Sequence, residues 1–561
     1  MATLNTTVTG VEQGWKFNKI AVFSLYWLLL FVVYLPTAGA GRVGDFPGWV
    51  EAITTKSFMD YVNRTGSGIA SLYYFTQVVS YTFYQVFGAN AWLWHILYIT
   101  LQATNALLLF LFFSRLFANS SVNSALIAAF AGGVLFCLSP SISEAVVWEP
   151  AFHYLLGLLL MMLVLVCAQQ FMITQKTSYA LWGGIAFFCS TYCLEVFYLT
   201  PLFVLLAGIY YQLAGRQVLK KLLLYFSLPQ ASLFAFYFIL LRVLYHQTVA
   251  HIGSLALQPN AATFSKPLKY LFHVLFLGRF FPQTTRAVVY RFCETGLALG
   301  IFYGLLALLA VLILTRYRKF TMQWQAAVLL LAFVLLSLGL ITPLWLPETG
   351  LAIYDRYTYV LGAFVFMLMA LVLANLLKKY IFIGAILVIA LVNYRFLHKV
   401  NAYWRQSADV VNNLVATFPN DPSKKVLLVN LPECLDGVQM VGTRDDGEFR
   451  MLYNSVRTDK ITNEVYDVEA FYMRSPQDGA HVNVVDDTTV RVTLNQWGTW
   501  WIYYGYGATS YENKDFKVVM RDQGHWYDLI LKHPASEYLV LYCVGRNWHK
   551  ADLDKKGVDQ Y

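Results

Sequence analysis

The chain is 561 residues long, 58% hydrophobic and only 13% charged, where a soluble protein carries roughly a quarter charged residues. A wholly soluble protein is therefore excluded, and the net charge of +9 is not a nucleic-acid signal because it divides by region. Residues 1–400 hold 24 basic and 10 acidic residues, a net +14, whereas residues 401–561 hold 17 and 22, a net −5. The basic part reads as a membrane domain over 1–397 and the acidic part as a soluble domain over 398–561.

A span needs about 20 apolar residues. In chain order, runs that roughly meet this are 20–40, 91–114, 123–139, 152–174, 178–194, 196–213, 222–241, 295–315, 323–343, 357–377 and 380–396, which predicts about 11 spans. The first run has no small-residue cleavage site, so it reads as a retained helix rather than a signal peptide. Segments 68–88 and 267–282 are apolar and aromatic but interrupted, as helices lying along a membrane surface are.

Basic loop residues set orientation. With the N-terminus inside, Lys16, Lys19, Arg115, Lys176, Arg216, Lys220, Lys221, Arg316, Arg318, Lys319, Lys378 and Lys379 all fall inside. The acids sort oppositely. Only Glu12 is inside, while Asp45, Glu51, Asp60, Glu144, Glu149, Glu195, Glu294, Glu348 and Asp355 fall outside or at the outer edge. Either this is an ordinary solvated face, or carboxylates are gathered there for chemistry.

An odd span count also places the remainder outside. Short alternating runs at Val426–Asn430, Thr489–Leu494, Thr499–Tyr504, Phe516–Met520 and Tyr538–Tyr542 predict a β-rich domain, a sandwich or similar. The cluster Trp497, Trp500, Trp501, Tyr503, Tyr504 and Tyr506 reads mainly as its packing. Cys434 and Cys543 are its only cysteines; an oxidising compartment allows a disulfide between them, and two buried thiols are the alternative.

Four constellations carry chemical potential. Asp45, in Gly44-Asp45-Phe46-Pro47, sits just past the first span; it either accepts a proton as a general base, binds a divalent cation with further oxygen ligands, or merely caps a helix. In the outer turn from Ser139 to Pro150, Glu144 and Trp148 would share a face if helical, offering a sugar a stacking surface beside an acceptor; His153 follows. An interfacial anchor is the bland competitor. Asp355-Arg356 offers either an arginine that clamps phosphate or an internal ion pair. Lys266, Lys269, Arg279, Arg286 and Arg291 crowd one outer segment among apolar residues, suiting an anionic amphiphile. His95, Asn105 and Glu195 are polar at membrane depth or its edge, where such groups are often functional.

These residues resemble a family. A carboxylate after the first span is followed by Trp94-His95 and Asn105-Ala106-Leu107-Leu108-Leu109-Phe110, then Pro140 and Glu144-Ala145-Val146-Val147-Trp148. Leu194-Glu195 with Pro201, and Asp355-Arg356-Tyr357 with Tyr359, complete the order. Over roughly residues 20–395 this is similar to the GT-C fold of polytopic glycosyltransferases, in particular the membrane region of the transmembrane and tetratricopeptide-repeat O-mannosyltransferases and their bacterial relatives. The resemblance implies a sugar moved from a polyprenyl-phosphate donor to an acceptor glycan, lipid or protein at the outer face of a bacterial cytoplasmic membrane, with no nucleic-acid partner. It puts the catalytic carboxylate, base or metal ligand, on Asp45. Arg356, Arg279 and Arg286 would then hold the donor phosphate, and Glu144, His153, Glu195, His95, Asp355 and Trp148 the substrate. The chain departs from the family in its single acid at 44–46, in His153 where an Arg commonly follows, and in a β-rich domain replacing the repeats. A transporter of lipid-linked saccharide and an inactive scaffold are the rival readings; the sequence shows neither the internal repeats nor the broken helices near the midplane that transporters carry, and its polar groups gather at one face.

Overall fold

The computed structural model describes residues 18–64, 73–117, 122–213, 215, 217–246, 261–342, 355–419, 421–441, 453, 461–495 and 509–560. The readings made on Glu12, Lys16, Arg216, Glu348, the strand Thr499–Tyr504 and the aromatic cluster 497–506 lie outside them. Each of the eleven apolar runs is helical over most of its described length. In order the helices are α1 (Lys19–Tyr34), α2 (Phe46–Thr55), α3 (Phe58–Arg64), α4 (Tyr74–Phe87), α5 (Ala91–Phe117) and α6 (Val122–Leu138). There follow α7 (Ser143–Val147), α8 (Phe152–Thr174), α9 (Thr177–Thr191), α10 (Thr200–Leu213), α11 (Leu219–Leu222) and α12 (Leu228–Tyr245). The last are α13 (Ala261–Leu275), α14 (Gln283–Cys293), α15 (Gly296–Arg316), α16 (Met322–Ile341), α17 (Tyr359–Leu376) and α18 (Lys379–Thr417).

Among the described residues nine helical segments are long and apolar enough to cross a membrane, and α6 with the Pro140–Val147 segment forms a further candidate bent by 60°. Helix α9, read from sequence as a span, has 15 residues, about 22 Å at 1.5 Å per residue, short of a ~30 Å hydrocarbon core. Lipid is the partner several helices need. Helix α15 has a mean hydropathy of 2.8 over its apolar window, yet only Ala298 is buried by protein. The chain is an integral membrane protein.

Helix α5 packs against α1, α6 and α8, and α17 packs on α6 and α16. Close approach is built in: a Cβ on Gly133 would stand 2.2 Å from the Tyr26 hydroxyl, which donates to the Phe130 carbonyl at 3.1 Å. Buried amides tie the helices where no water can. Asn105 donates to the Leu155 carbonyl and the Tyr359 hydroxyl, both at 3.0 Å, and Gln169 donates to the Phe112 carbonyl at 3.0 Å and the Tyr211 hydroxyl at 2.9 Å.

Helix α18 runs unbroken past residue 397, where composition changes, and delivers the chain to the β region. The strands are β1 (Lys425–Leu428), β2 (Leu431–Leu435), β3 (Val438–Gln439), β4 (Glu464–Asp467), β5 (Ala470–Met473), β6 (Ala480–Val484) and β7 (Thr489–Leu494). Then come β8 (Tyr511–Glu512), β9 (Phe516–Arg521), β10 (Trp526–Leu531), β11 (Tyr538–Val544), β12 (Asn547–Lys550) and β13 (Asp559–Gln560). They form three sheets, ordered β12-β11-β1-β4, β13-β6-β7-β10-β9-β8 and β3-β2-β5. The six-stranded sheet is antiparallel, whereas β1 pairs in parallel with both β4 and β11. Cys434 on β2 and Cys543 on β11 are buried free thiols.

Candidate functional site

The site lies at one end of the bundle, where helix termini and the β region meet. Three prolines shape it. Pro47 opens α2, Pro140 opens the 3₁₀ turn before α7, and Pro150 opens the turn before α8; proline is preorganised for first turns because its missing N–H is not needed there. Residues 41–44 pack against Val147–Glu149. A Cβ on Gly41 would overlap the Val147 carbonyl, the Glu149 N–H donates to the Gly41 carbonyl at 3.3 Å, and Trp148 Nε1 donates to the Val43 carbonyl at 2.9 Å. Arg42 and Glu149, an ion pair at 3.0 Å, fasten the same contact.

Arg356 is the hub. Its side chain pairs with Glu144 Oε1, and its backbone N–H donates to Glu144 Oε2 at 2.8 Å. The guanidinium carbon stands 4.9 Å from the Trp148 ring centre and 5.0 Å from that of Tyr357, so two π faces add cation–π attraction to the ion pair. Helix α7 ends at Trp148, whose backbone is extended; Glu144 and Trp148 nevertheless converge on this one arginine.

Asp355 is buried beside it, 1% exposed, and turns to different partners. Its Oδ1 is 2.6 Å from His273 Nε2 and its Oδ2 pairs with Arg279 Nη1. A carboxylate only accepts, so His273 carries its proton on Nε2. Arg279 also donates to the Asp436 carbonyl at 2.7 Å, and Arg286 donates to the Arg279 carbonyl at 3.1 Å. Of the two Arg residues nominated in this segment, Arg279 is thus committed to Asp355, while the Arg286 side chain makes no ion pair among the described residues.

Asp45 differs from the other carboxylates. Its carbonyl accepts from the Trp49 N–H at 3.1 Å to start α2, but its side chain makes no capping bond. Among the described residues it makes no ion pair. Asp45 is exposed to solvent, with protein packed around its carboxylate. Burial pushes its pKa up and the Arg356 charge partly opposes this. If Asp45 takes a proton during turnover, kcat/KM should fall on the acid side at a pH above the usual carboxylate value of about 4, because protonation removes the base. That acid limb should vanish in Asp45→Asn; a profile unchanged between the two proteins contradicts the role.

His153, in the first turn of α8, lies within electrostatic reach of Arg356, with its ring centre 6.1 Å from that of Tyr73. Tyr73 in turn donates to Glu195 at 3.3 Å, and the Glu195 charge acts on Tyr357. The fold therefore gathers Asp45, Glu144, Trp148, His153, Glu195, Asp355, Arg356, Arg279 and Arg286 into one network. His95 stays apart: it is buried against Trp92, ring centres 6.2 Å apart, and its Nε2 has no partner among the described residues. Tyr357 stands in the run Asp355-Arg356-Tyr357, whereas His273 and Tyr73 have no signal in the sequence, since a lone His or Tyr in an apolar segment carries none.

Among the described residues no three His, Cys, Asp or Glu side chains come together as a metal site, and Glu144 and Asp355 are already matched by arginines. No protein-family model matches the chain, and no curated protein matches its sequence.

Proposed function

We propose that this membrane protein is a GT-C-like glycosyltransferase that moves a sugar from a polyprenyl-phosphate-linked donor to a hydroxyl acceptor at the outer face of a cytoplasmic membrane. The observation that carries the reading is Asp45, an exposed carboxylate that makes no ion pair among the described residues, within electrostatic reach of a ring-clamped arginine, Arg356, at one end of a lipid-embedded bundle. In the transfer, the acceptor oxygen bonds to the anomeric carbon as the bond from that carbon to the phosphate oxygen breaks. The acceptor proton passes to an Asp45 oxygen, and the charge left on polyprenyl phosphate is met by Arg286 and Arg356. Glu144 holds Arg356 in place, Asp355 holds Arg279, and Trp148, His153 and Glu195 line the sugar or acceptor side. The test is release of polyprenyl phosphate and transfer of labelled sugar by the purified protein; donors left intact across a panel of sugars would refute the reading.

The outer placement of the β region rests on the basic inner loops and on an odd number of crossings, about 11 by the sequence and nine by the unbent helical segments among the described residues. Ser510 is exposed, so Ser510→Cys in intact cells should react with a membrane-impermeant thiol reagent. Reaction only after the cytoplasm is opened would invert the topology.

A further inference from the structure

The Asp45 side chain makes no capping bond and, among the described residues, no ion pair. Its carboxylate therefore stands wherever the backbone of residues 41–46 puts it. Glycine occupies positions 41 and 44, and Gly44 has φ of 61°, an angle that glycine adopts without cost and that leaves the chain little restrained by itself. The restraint comes from a side chain. Of residues 41–45, Arg42 alone makes side-chain hydrogen bonds among the described residues.

Arg42 grips the chain on both sides of Asp45. Its Nε donates to Glu149 Oε1 at 3.0 Å, its Nη1 donates to the Ala89 carbonyl, and its guanidinium carbon stands 5.3 Å from the Phe46 ring centre. Both acceptors sit on anchored backbone. Trp94 Nε1 donates to the Gly88 carbonyl at 3.0 Å, just before Ala89, and the Tyr98 hydroxyl donates to the Glu149 carbonyl at 3.3 Å. Phe46, the first residue of α2, is buried, and its ring centre lies 5.7 Å from that of Trp49, which lies 5.4 Å from that of Trp94. Arg42 thus ties the residues before Asp45 to Glu149 and Ala89, and the residue after it to its own guanidinium. Two hydrogen bonds in different directions and a ring contact need the planar fork that arginine has and lysine lacks.

Resting on the glycosyltransferase reading, we propose that Arg42 is a positioning residue: held by Glu149, the Ala89 carbonyl and the Phe46 ring, it fixes the 41–46 turn so that the Asp45 carboxylate stands where the acceptor proton is taken. The full-length protein in nanodiscs tests this. Arg42→Gln should speed amide hydrogen exchange at Phe46 and Trp49 about tenfold, the sign of a turn released locally. It should also lower kcat about 10- to 100-fold with donor KM unchanged, the scale that a misplacement of about 1 Å costs. Arg42→Lys, which keeps the charge but not the fork, should fall between, and it carries the same test if Arg42→Gln does not fold. The deciding comparison is made in Asp45→Asn. A residue that acts through the carboxylate then has nothing left to position, so adding Arg42→Gln should lower the residual transfer no further, whereas a purely structural role lowers both proteins alike. Equal losses in the two backgrounds, an unchanged kcat or unchanged exchange would each overturn the proposal and leave the glycosyltransferase reading standing. Wild-type protein that transfers no sugar refutes that reading, and the positioning role falls with it.

Discussion

Asp45→Asn is expected to slow sugar transfer about 10²–10⁴-fold, the range general-base help supplies, while donor binding and expression hold. Asparagine keeps the shape and most hydrogen bonding of aspartate but accepts no proton. The carboxylate is suited to this work because it makes no ion pair among the described residues, and Arg356, whose charge acts on it, is itself paired with Glu144. Two controls lie in the same loop. Glu51 is exposed on α2, and Asp60 is occupied locally by the Ser57 hydroxyl at 2.6 Å. Glu51→Gln and Asp60→Asn should therefore retain near-normal turnover. A collapse in Glu51→Gln with normal Asp45→Asn would move the base to Glu51.

Asp355→Asn is expected to cost about 3–5 kcal/mol of stability, the penalty for stranding a buried partner charge. Arg279 is 4% exposed and has no second carboxylate partner among its ion pairs, and His273, 2% exposed, loses the acceptor for its Nε2 proton. The double substitution Asp355→Asn with Arg279→Met removes the stranded charge along with its partner and should recover part of the loss. Thermal unfolding in detergent measures both. A double variant no more stable than Asp355→Asn alone would show that the Arg279 charge is not what makes the single variant costly.

What could be read from the sequence follows from how local each signal is. Lipid demands long apolar runs, so the nine long apolar helices among the described residues were legible, although α9 is shorter than its run suggested. That Asp45, Glu144, Glu149, Glu195 and Asp355 share one end of the bundle was legible because all five flank apolar runs at the ends opposite the basic loops. The pairings were not. Glu144 finds Arg356 across 212 positions and Arg279 finds Asp355 across 76, and no periodicity records such distances. Adjacent Asp355 and Arg356 looked like one internal pair; the backbone instead sends them to separate partners, His273 with Arg279 and Glu144. Likewise the alternation in Thr489–Leu494 marked a strand correctly, but alternation carries no pairing direction, so the parallel β1–β4 and β1–β11 ladders were hidden.

The central claim is tested most directly by following a doubly labelled donor in proteoliposomes. Polyprenyl-phosphate-mannose, with label in both the sugar and the prenyl chain, is presented only on the face that carries residue 510. The account predicts that polyprenyl phosphate accumulates on that face as the sugar label leaves the lipid, and that Asp45→Asn abolishes this. Intact donor appearing on the opposite face, with no polyprenyl phosphate formed, would contradict it and identify a transporter instead.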